Sequence, residues 1–247
     1  MMNLLASDFD GTLWFENHMK EKDIQAIQNF RNNGNVFGLC SGRSLGGILK
    51  PSQNYDIDYD FYIMLSGALI YNKDREIIFE KKIPMDIVKE IYLFLHEQTM
   101  TIVNDDHMYQ LNANEKYPGT HLKSIDEIKV KDINAFSFHF QRDEIEKATE
   151  STKAINEKFG DYVEAFQNQF NIDLTAKGCS KGNGIVFIQN YFHLDESQIS
   201  VIGDSWNDLP MLNQVENSYT FTYAPSDVQR IAKYIVSDLY KCIENIK

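Results

Sequence analysis

The sequence predicts an α/β protein: a Rossmann-like core of parallel strands with an α+β unit inserted into it. Three observations carry that expectation. Short apolar runs near the start alternate with stretches of helical periodicity, the β-α-β-α-β order of a parallel sheet with crossover helices. From about Pro84 to Leu174 the pattern changes to helices mixed with alternating strands, as in an antiparallel sheet. After Lys177 the buried-strand signals return. The core is therefore expected at residues 1–82 and 176–247, and the insert at residues 83–175.

Leu4-Leu5-Ala6 is the first strand, leading into Asp8-Phe9-Asp10-Gly11-Thr12-Leu13. Ile24, Ile27 and Phe30 give residues 20–33 an apolar helical face, with Gly34 as a C-cap. Val36-Phe37-Gly38-Leu39-Cys40 is a second strand that ends at Ser41-Gly42-Arg43, with a helix beyond. Tyr62-Ile63-Met64-Leu65 is a third, ending at Ser66-Gly67-Ala68. Leu69-Ile70-Tyr71 and Ile77-Ile78-Phe79 flank a polar turn and read as a hairpin. In the insert, residues 86–98 and 144–159 read as helices, and residues 101–103, 108–111, 135–140 and 162–166 as strands. Residues 183–191 are then helical, and Ile199-Ser200-Val201-Ile202 is a buried strand ending at Gly203-Asp204. Another helix begins at about Asp208 or Leu209.

The formal net charge of −12 disfavours a nucleic-acid partner, whose phosphates need Lys and Arg, and it disfavours anionic membranes. Cys40, Cys179 and Cys242 have no zinc-type spacing and are expected as reduced, partly buried thiols. No signal peptide is visible before the first strand, and no apolar stretch reaches membrane-spanning length. These features predict a cytoplasmic protein with no nucleic-acid, membrane or obligate protein partner.

Chemistry concentrates at strand ends and helix starts. Ligands of open α/β sheets bind at the carboxyl ends of strands. Asp8 and Asp10 leave the first strand on the same side, and two acids this close repel unless a cation or a proton sits between them. The pair predicts a Mg²⁺ site with one carboxylate left to react. Ser41-Gly42-Arg43, Ser180-Lys181-Gly182 and Gly203-Asp204-Ser205-Trp206-Asn207-Asp208 complete an ordered set. Taken singly, Asp10 is a turn cap, Ser41 a helix cap and Lys181 a solvated lysine. Together, in this order, they are far more specific.

With these motifs the chain resembles a phosphatase of the haloacid dehalogenase (HAD) superfamily, of its Cof-type subgroup, over essentially its whole length. The subgroup's usual Asn-Gly-Ala after the third strand stands here as Ser66-Gly67-Ala68, and its Met-Leu after the last motif as Met211-Leu212. One segment departs. Where a Met-Gly-Asn-Ala type of sequence is usual, this chain has Phe221-Thr222-Tyr223-Ala224-Pro225.

The resemblance implies a HAD core with an inserted α/β cap, and Mg²⁺-dependent hydrolysis of a small phosphorylated metabolite, sugar phosphates foremost. It implies Asp8 as the nucleophile that forms an aspartyl-phosphate. Asp10 is the general acid/base, and its backbone carbonyl also binds the metal. Asp204 is the third protein ligand, and Asp208 holds a metal-bound water or Lys181. Ser41, Lys181, Asn207 and the backbone of Gly42 bind phosphate, with the N–H groups of Phe9 and Asp10 as further donors. Thr12 supports the loop or orients Asp10, and Arg43 makes either a salt bridge or a substrate contact. Trp14 and Asn17 line the leaving-group side and Trp206 packs within its loop. From the residues themselves, His107 and His121 read as surface or structural residues, with a place facing the site from the insert as the alternative.

Two other activities fit the same residues: a phosphomutase, which returns the phosphoryl group to a substrate hydroxyl, and a non-catalytic phosphometabolite-binding module. A P-type ATPase is disfavoured, since those usually carry Thr where Asp10 stands. Receiver domains are about half this length, and the GxGxxG of a dinucleotide fold is absent after the first strand.

Overall fold

A computed structural model describes residues 2–246. The chain opens with β1 (Leu4–Ser7), α1 (Glu21–Asn32), β2 (Val36–Cys40), α2 (Leu45–Ser52), β3 (Phe61–Met64), β4 (Leu69–Asn72) and β5 (Ile77–Glu80). Then come β6 (Ile83–Pro84), α3 (Met85–Phe94), β7 (Thr99–Asn104), β8 (His107–Leu111), β9 (Thr120–Leu122), β10 (Asp132–Ile133), β11 (Ala135–His139), α4 (Ile145–Phe159), β12 (Val163–Asn168) and β13 (Asn171–Ala176). The last stretch holds α5 (Lys181–Phe192), β14 (Ile199–Ile202), α6 (Leu209–Gln214), β15 (Asn217–Phe221), α7 (Ser226–Ile231), β16 (Tyr234–Val236) and α8 (Leu239–Asn245). Two compact units result. One joins the chain up to Phe79 with that from Ser180 onward, and the other is Glu80–Cys179.

The first unit is built on an eight-stranded sheet in the order β16-β15-β14-β1-β2-β3-β4-β5. Six strands, β16 to β3, run parallel, while β4 turns back antiparallel to β3. Every residue of β1, β2, β3 and β14 is buried, which explains why these strands read as unbroken apolar runs. Leu4, Ala6, Phe61, Ile63, Val201, Ile185 and Ile188 share one core cluster, so α5 lies over this face of the sheet. Gly34, at φ +80°, follows α1 and returns its N–H to the Arg31 carbonyl (2.9 Å), the left-handed stop that glycine takes without strain. The chain leaves β1 for β2 on one side, while β14 flanks it on the other. The tips of β1 and β14 thus meet at the switch point of the sheet, where a crevice forms.

The second unit carries a six-stranded sheet, β12-β13-β11-β7-β8-β9, antiparallel except for β8 against β9, and a two-stranded pair of β10 with β6. Ala148, Ser151, Ile155 and Phe159 form the buried side of α4.

Some element limits differ from the sequence reading. The helix expected at residues 86–98 stops at Phe94, where Leu93 and Phe94 are exposed. The chain beyond it is held instead by Asn112, whose Nδ2 donates to the carbonyls of His96 (2.6 Å) and Gln98 (3.1 Å). The helix expected at 183–191 starts two residues earlier, because Ser180 caps it by accepting from the Asn183 N–H (3.0 Å). That shift makes Lys181 the first helical residue.

Candidate active site

The site assembles at the ends of β1, β2 and β14 and the start of α5. Asp8 is one residue past β1, its N–H still in the sheet ladder to the Ile202 carbonyl (2.9 Å). Its side chain is buried and meets Lys181, whose Nζ donates to Asp8 Oδ1 and to Asp208 Oδ1, both at 2.6 Å. Lys181 and Asp208 have no side-chain exposure. Burial works against the Lys181 charge, but Asp208 and Asp8 outweigh it and hold the ammonium well above the ordinary lysine value. Lys181 is thus an internal lysine, not the solvated one that its motif taken singly suggests.

Asp208 is fixed on its other oxygen too. Oδ2 accepts from the backbone N–H groups of Asp204 (2.9 Å) and Ser205 (3.0 Å), closing the short 3-10 turn Trp206–Asp208. Asp204 sits at the tip of β14, and its Oδ1 accepts from Thr12 Oγ1 at 3.0 Å. Thr12 was expected to support the loop or orient Asp10; its hydroxyl goes to Asp204. The close approach needs Gly11, whose φ is +78° and where a Cβ would stand 2.5 Å from Asp204 Oδ2.

Carboxylate oxygens of Asp8, Asp204 and Asp208 all lie within 4.8 Å of one another. Burial raises the pKa of Asp8 well above the usual carboxylate value, and the Asp208 charge adds to this. Burial and Asp208 also push Asp204 up to about 7. Such acids need a positive partner, which is what an oxygen-only donor set offers a hard divalent cation. Asp208 has both oxygens engaged. Asp8 Oδ2 and Asp204 Oδ2 are the oxygens of the cluster that take no hydrogen bond among the described residues.

Asp10, two residues past Asp8, points elsewhere. Arg43 grips it with both prongs of its guanidinium, Nε to Oδ2 at 2.6 Å and Nη2 to Oδ1 at 2.5 Å. Arg43 is itself held by the Gly47 carbonyl (3.0 Å) and lies over the Phe9 ring, 5.3 Å from its centre. Of the two roles open to Arg43 in the sequence, the structure shows the salt bridge.

Ser41 is buried after β2, its Oγ accepting from the Arg43 N–H (3.2 Å). Gly42 is partly exposed in the same turn, and Asn207 is partly exposed in the turn before α6. Trp206 is at the surface, its Nε1 donating to Asp227 at 2.7 Å. Trp14 stacks on Phe9 with the rings 5° apart, and Asn17 is exposed with φ +64°. His107 and His121 belong to the second unit, where they contact Thr120 Oγ1 and the Tyr117 carbonyl. Cys40, Cys179 and Cys242 are free and buried. One contact was not foreseen: Tyr223 Oη donates to the Gly11 carbonyl at 2.6 Å. Its signal in the sequence was the departure at Phe221-Thr222-Tyr223-Ala224-Pro225.

A family model described as haloacid dehalogenase-like hydrolase matches residues 5–241. The chain belongs to that family. It is 24% identical over 246 residues to the 5-amino-6-(5-phospho-D-ribitylamino)uracil phosphatase YbjI of Escherichia coli, covering 94% of this chain and 90% of that one. Among solved structures, it superposes on the HAD subclass IIB sugar phosphatase BT4131 with a TM-score of 0.83 at 21% identity, covering 97% and 95% of the two chains. A haloacid dehalogenase-like hydrolase of B. subtilis gives a TM-score of 0.89 at 15% identity, with full coverage of both. These likenesses establish the fold of the family. No helix among the described residues is long and apolar enough to cross a membrane.

Proposed function

We propose that this chain is a Mg²⁺-dependent phosphatase that hydrolyses small phosphomonoesters, sugar phosphates foremost, through an aspartyl-phosphate on Asp8. The observation that carries this reading is the buried Lys181 fixed between Asp8 and Asp208, with Asp204 beside them. A phosphate monoester is anionic and is repelled by a bare carboxylate. A site that keeps a lysine charge at the nucleophile and gathers further acids for a cation removes that repulsion. Family membership and the phosphatase relatives support the same reading.

Asp8 and Asp204 would hold the ion through side-chain oxygens, together with the Asp10 carbonyl. Bound there, Mg²⁺ would neutralise charge on the phosphoryl oxygens. A carboxylate oxygen of Asp8 attacks phosphorus in line, the ester P–O bond breaks, and the leaving oxygen takes a proton from Asp10. Asp10 then takes a proton from water, whose oxygen attacks phosphorus and releases phosphate, restoring Asp8. Lys181 opposes the burial that raises the Asp8 pKa and steadies the phosphoryl group, with Ser41, the Gly42 backbone and Asn207 as further donors. The Arg43 fork fills both oxygens of Asp10 in the resting site, so one of its bonds opens when a leaving group arrives.

The test is phosphate release from p-nitrophenyl phosphate and a panel of sugar phosphates, with Mg²⁺ and with EDTA. The expected result is Mg²⁺-dependent turnover that Asp8→Asn abolishes. Equal release by Asp8→Asn and wild type would overturn the assignment.

A further inference from the structure

Outside the acid cluster, one contact joins the turn after β1 to the segment after β15. Tyr223 lies just past β15, in the departing segment. Its ring is stacked on the buried Phe221, with centres 4.8 Å apart and planes 12° apart, and it tilts against Phe15 at 5.5 Å. This packing aims the hydroxyl at the Gly11 carbonyl, 2.6 Å away.

That carbonyl belongs to the peptide joining Gly11 to Thr12. The turn is pinned on its other side by Gly11 N–H to the Trp14 carbonyl (2.9 Å) and by the N–H of Trp14 to the Phe9 carbonyl (2.7 Å). Rotating the Gly11–Thr12 peptide displaces the base of the Thr12 side chain, and Thr12 Oγ1 is the donor that holds Asp204 Oδ1 at 3.0 Å. Tyr223, Gly11, Thr12 and Asp204 therefore form one mechanical chain. Partners outside the first ring of metal ligands orient those ligands and tune their affinity.

We propose that Tyr223 is a positioning residue: by holding the Gly11 carbonyl it sets the peptide that presents Thr12 to Asp204, and so fixes Asp204 in the geometry that binds Mg²⁺. This rests on the metal-dependent reading above and assigns the departing segment a part in it. The ring itself is held by Phe221 and Phe15 in the absence of the hydroxyl, so removing one oxygen loosens the turn without unseating the tyrosine.

The experiment compares the full chain with Tyr223→Phe, Thr12→Val and the double variant, titrating Mg²⁺ alone by calorimetry. Turnover of p-nitrophenyl phosphate is followed at saturating Mg²⁺. Tyr223→Phe is expected to fold and melt close to wild type, while the Mg²⁺ dissociation constant rises about tenfold, as for other outer-shell partners. kcat should fall with KM little changed. Thr12→Val should shift the constant in the same sense. The double variant should be no weaker than the worse single one, because both cut the same chain. An unchanged Mg²⁺ constant in folded Tyr223→Phe, shifts that add in the double variant, or a Tyr223→Phe protein that does not fold each overturn the proposal. If wild type binds Mg²⁺ but hydrolyses no phosphomonoester, the functional reading fails while the calorimetry still decides the part of Tyr223.

Discussion

Asp8 and Asp10 are two residues apart on one turn, yet each is paired with a cation in a different physical setting. Asp8 meets Lys181 where the side chains are 5% and 0% exposed. Asp10 meets Arg43 where they are 50% and 38% exposed. Inside, a charge without its partner is costly, so the Asp8–Lys181–Asp208 group is fixed in place. At the surface, water replaces a lost partner at little cost, so the Asp10–Arg43 pair can open. Under the proposed mechanism the difference separates two tasks: a nucleophile that stays put and an acid/base that changes partners during each turnover.

The comparison breaks most sharply at Lys181. Lys181→Met leaves Asp8 and Asp208 facing each other without a cation, and loss of a buried partner costs about 3–5 kcal/mol. Urea unfolding should register that loss, and activity should vanish.

Next comes pH. The folded value of Asp204, about 7, stands above the ordinary 3.8, so the fold prefers the protonated acid. The stability this contributes is full below about pH 4 and is lost as pH climbs through 7. In EDTA, wild type should therefore lose stability relative to Asp204→Asn across that window. Mg²⁺ should reverse the order. At one hundred times its dissociation constant a ligand adds about 2.7 kcal/mol to the state that binds it. A flat difference between the two proteins from pH 4 to 8 in EDTA would contradict the buried-acid account.

The smallest effect on stability is expected from Arg43→Ala, within about 1 kcal/mol, as for other exposed pairs. Its effect should appear in kcat, through an Asp10 no longer aimed. A melting loss as large as that of Lys181→Met would erase the distinction between the two pairs.

The sequence showed some parts of this molecule far better than others, for physical reasons. β1, β2, β3 and β14 are buried on both faces, so they stand out as apolar runs. β13, with Asn171, Asp173 and Thr175 alternating against Ile172 and Leu174, is half polar and presents no apolar run. β16 is equally inconspicuous, since it has three residues and its Tyr234 and Ile235 are exposed. The motif residues could be named from their order along the chain, and Lys181 is among the partners open to Asp208, but most other pairings could not be. Thr12 and Asp204 are separated by 192 positions, and Tyr223 and Gly11 by 212. Only folding brings such groups together. The turn of Asp10 toward Arg43 was equally hidden, because spacing alone does not choose between a salt bridge and a substrate contact.

The sheet order has a consequence for how the protein is made. β1 is made long before one of its two sheet neighbours, β14, with Leu4 against Ile199. At roughly 5–20 residues per second, β1 waits on the order of 10–40 s before that neighbour is synthesised. During that interval one edge of the central strand is open, and Asp8 and Asp10 stand on a nascent chain that still lacks Lys181 and Asp204. A chain that stops short of Lys181 therefore carries Asp8 and Asp10 without the lysine and the further acid that complete the cluster.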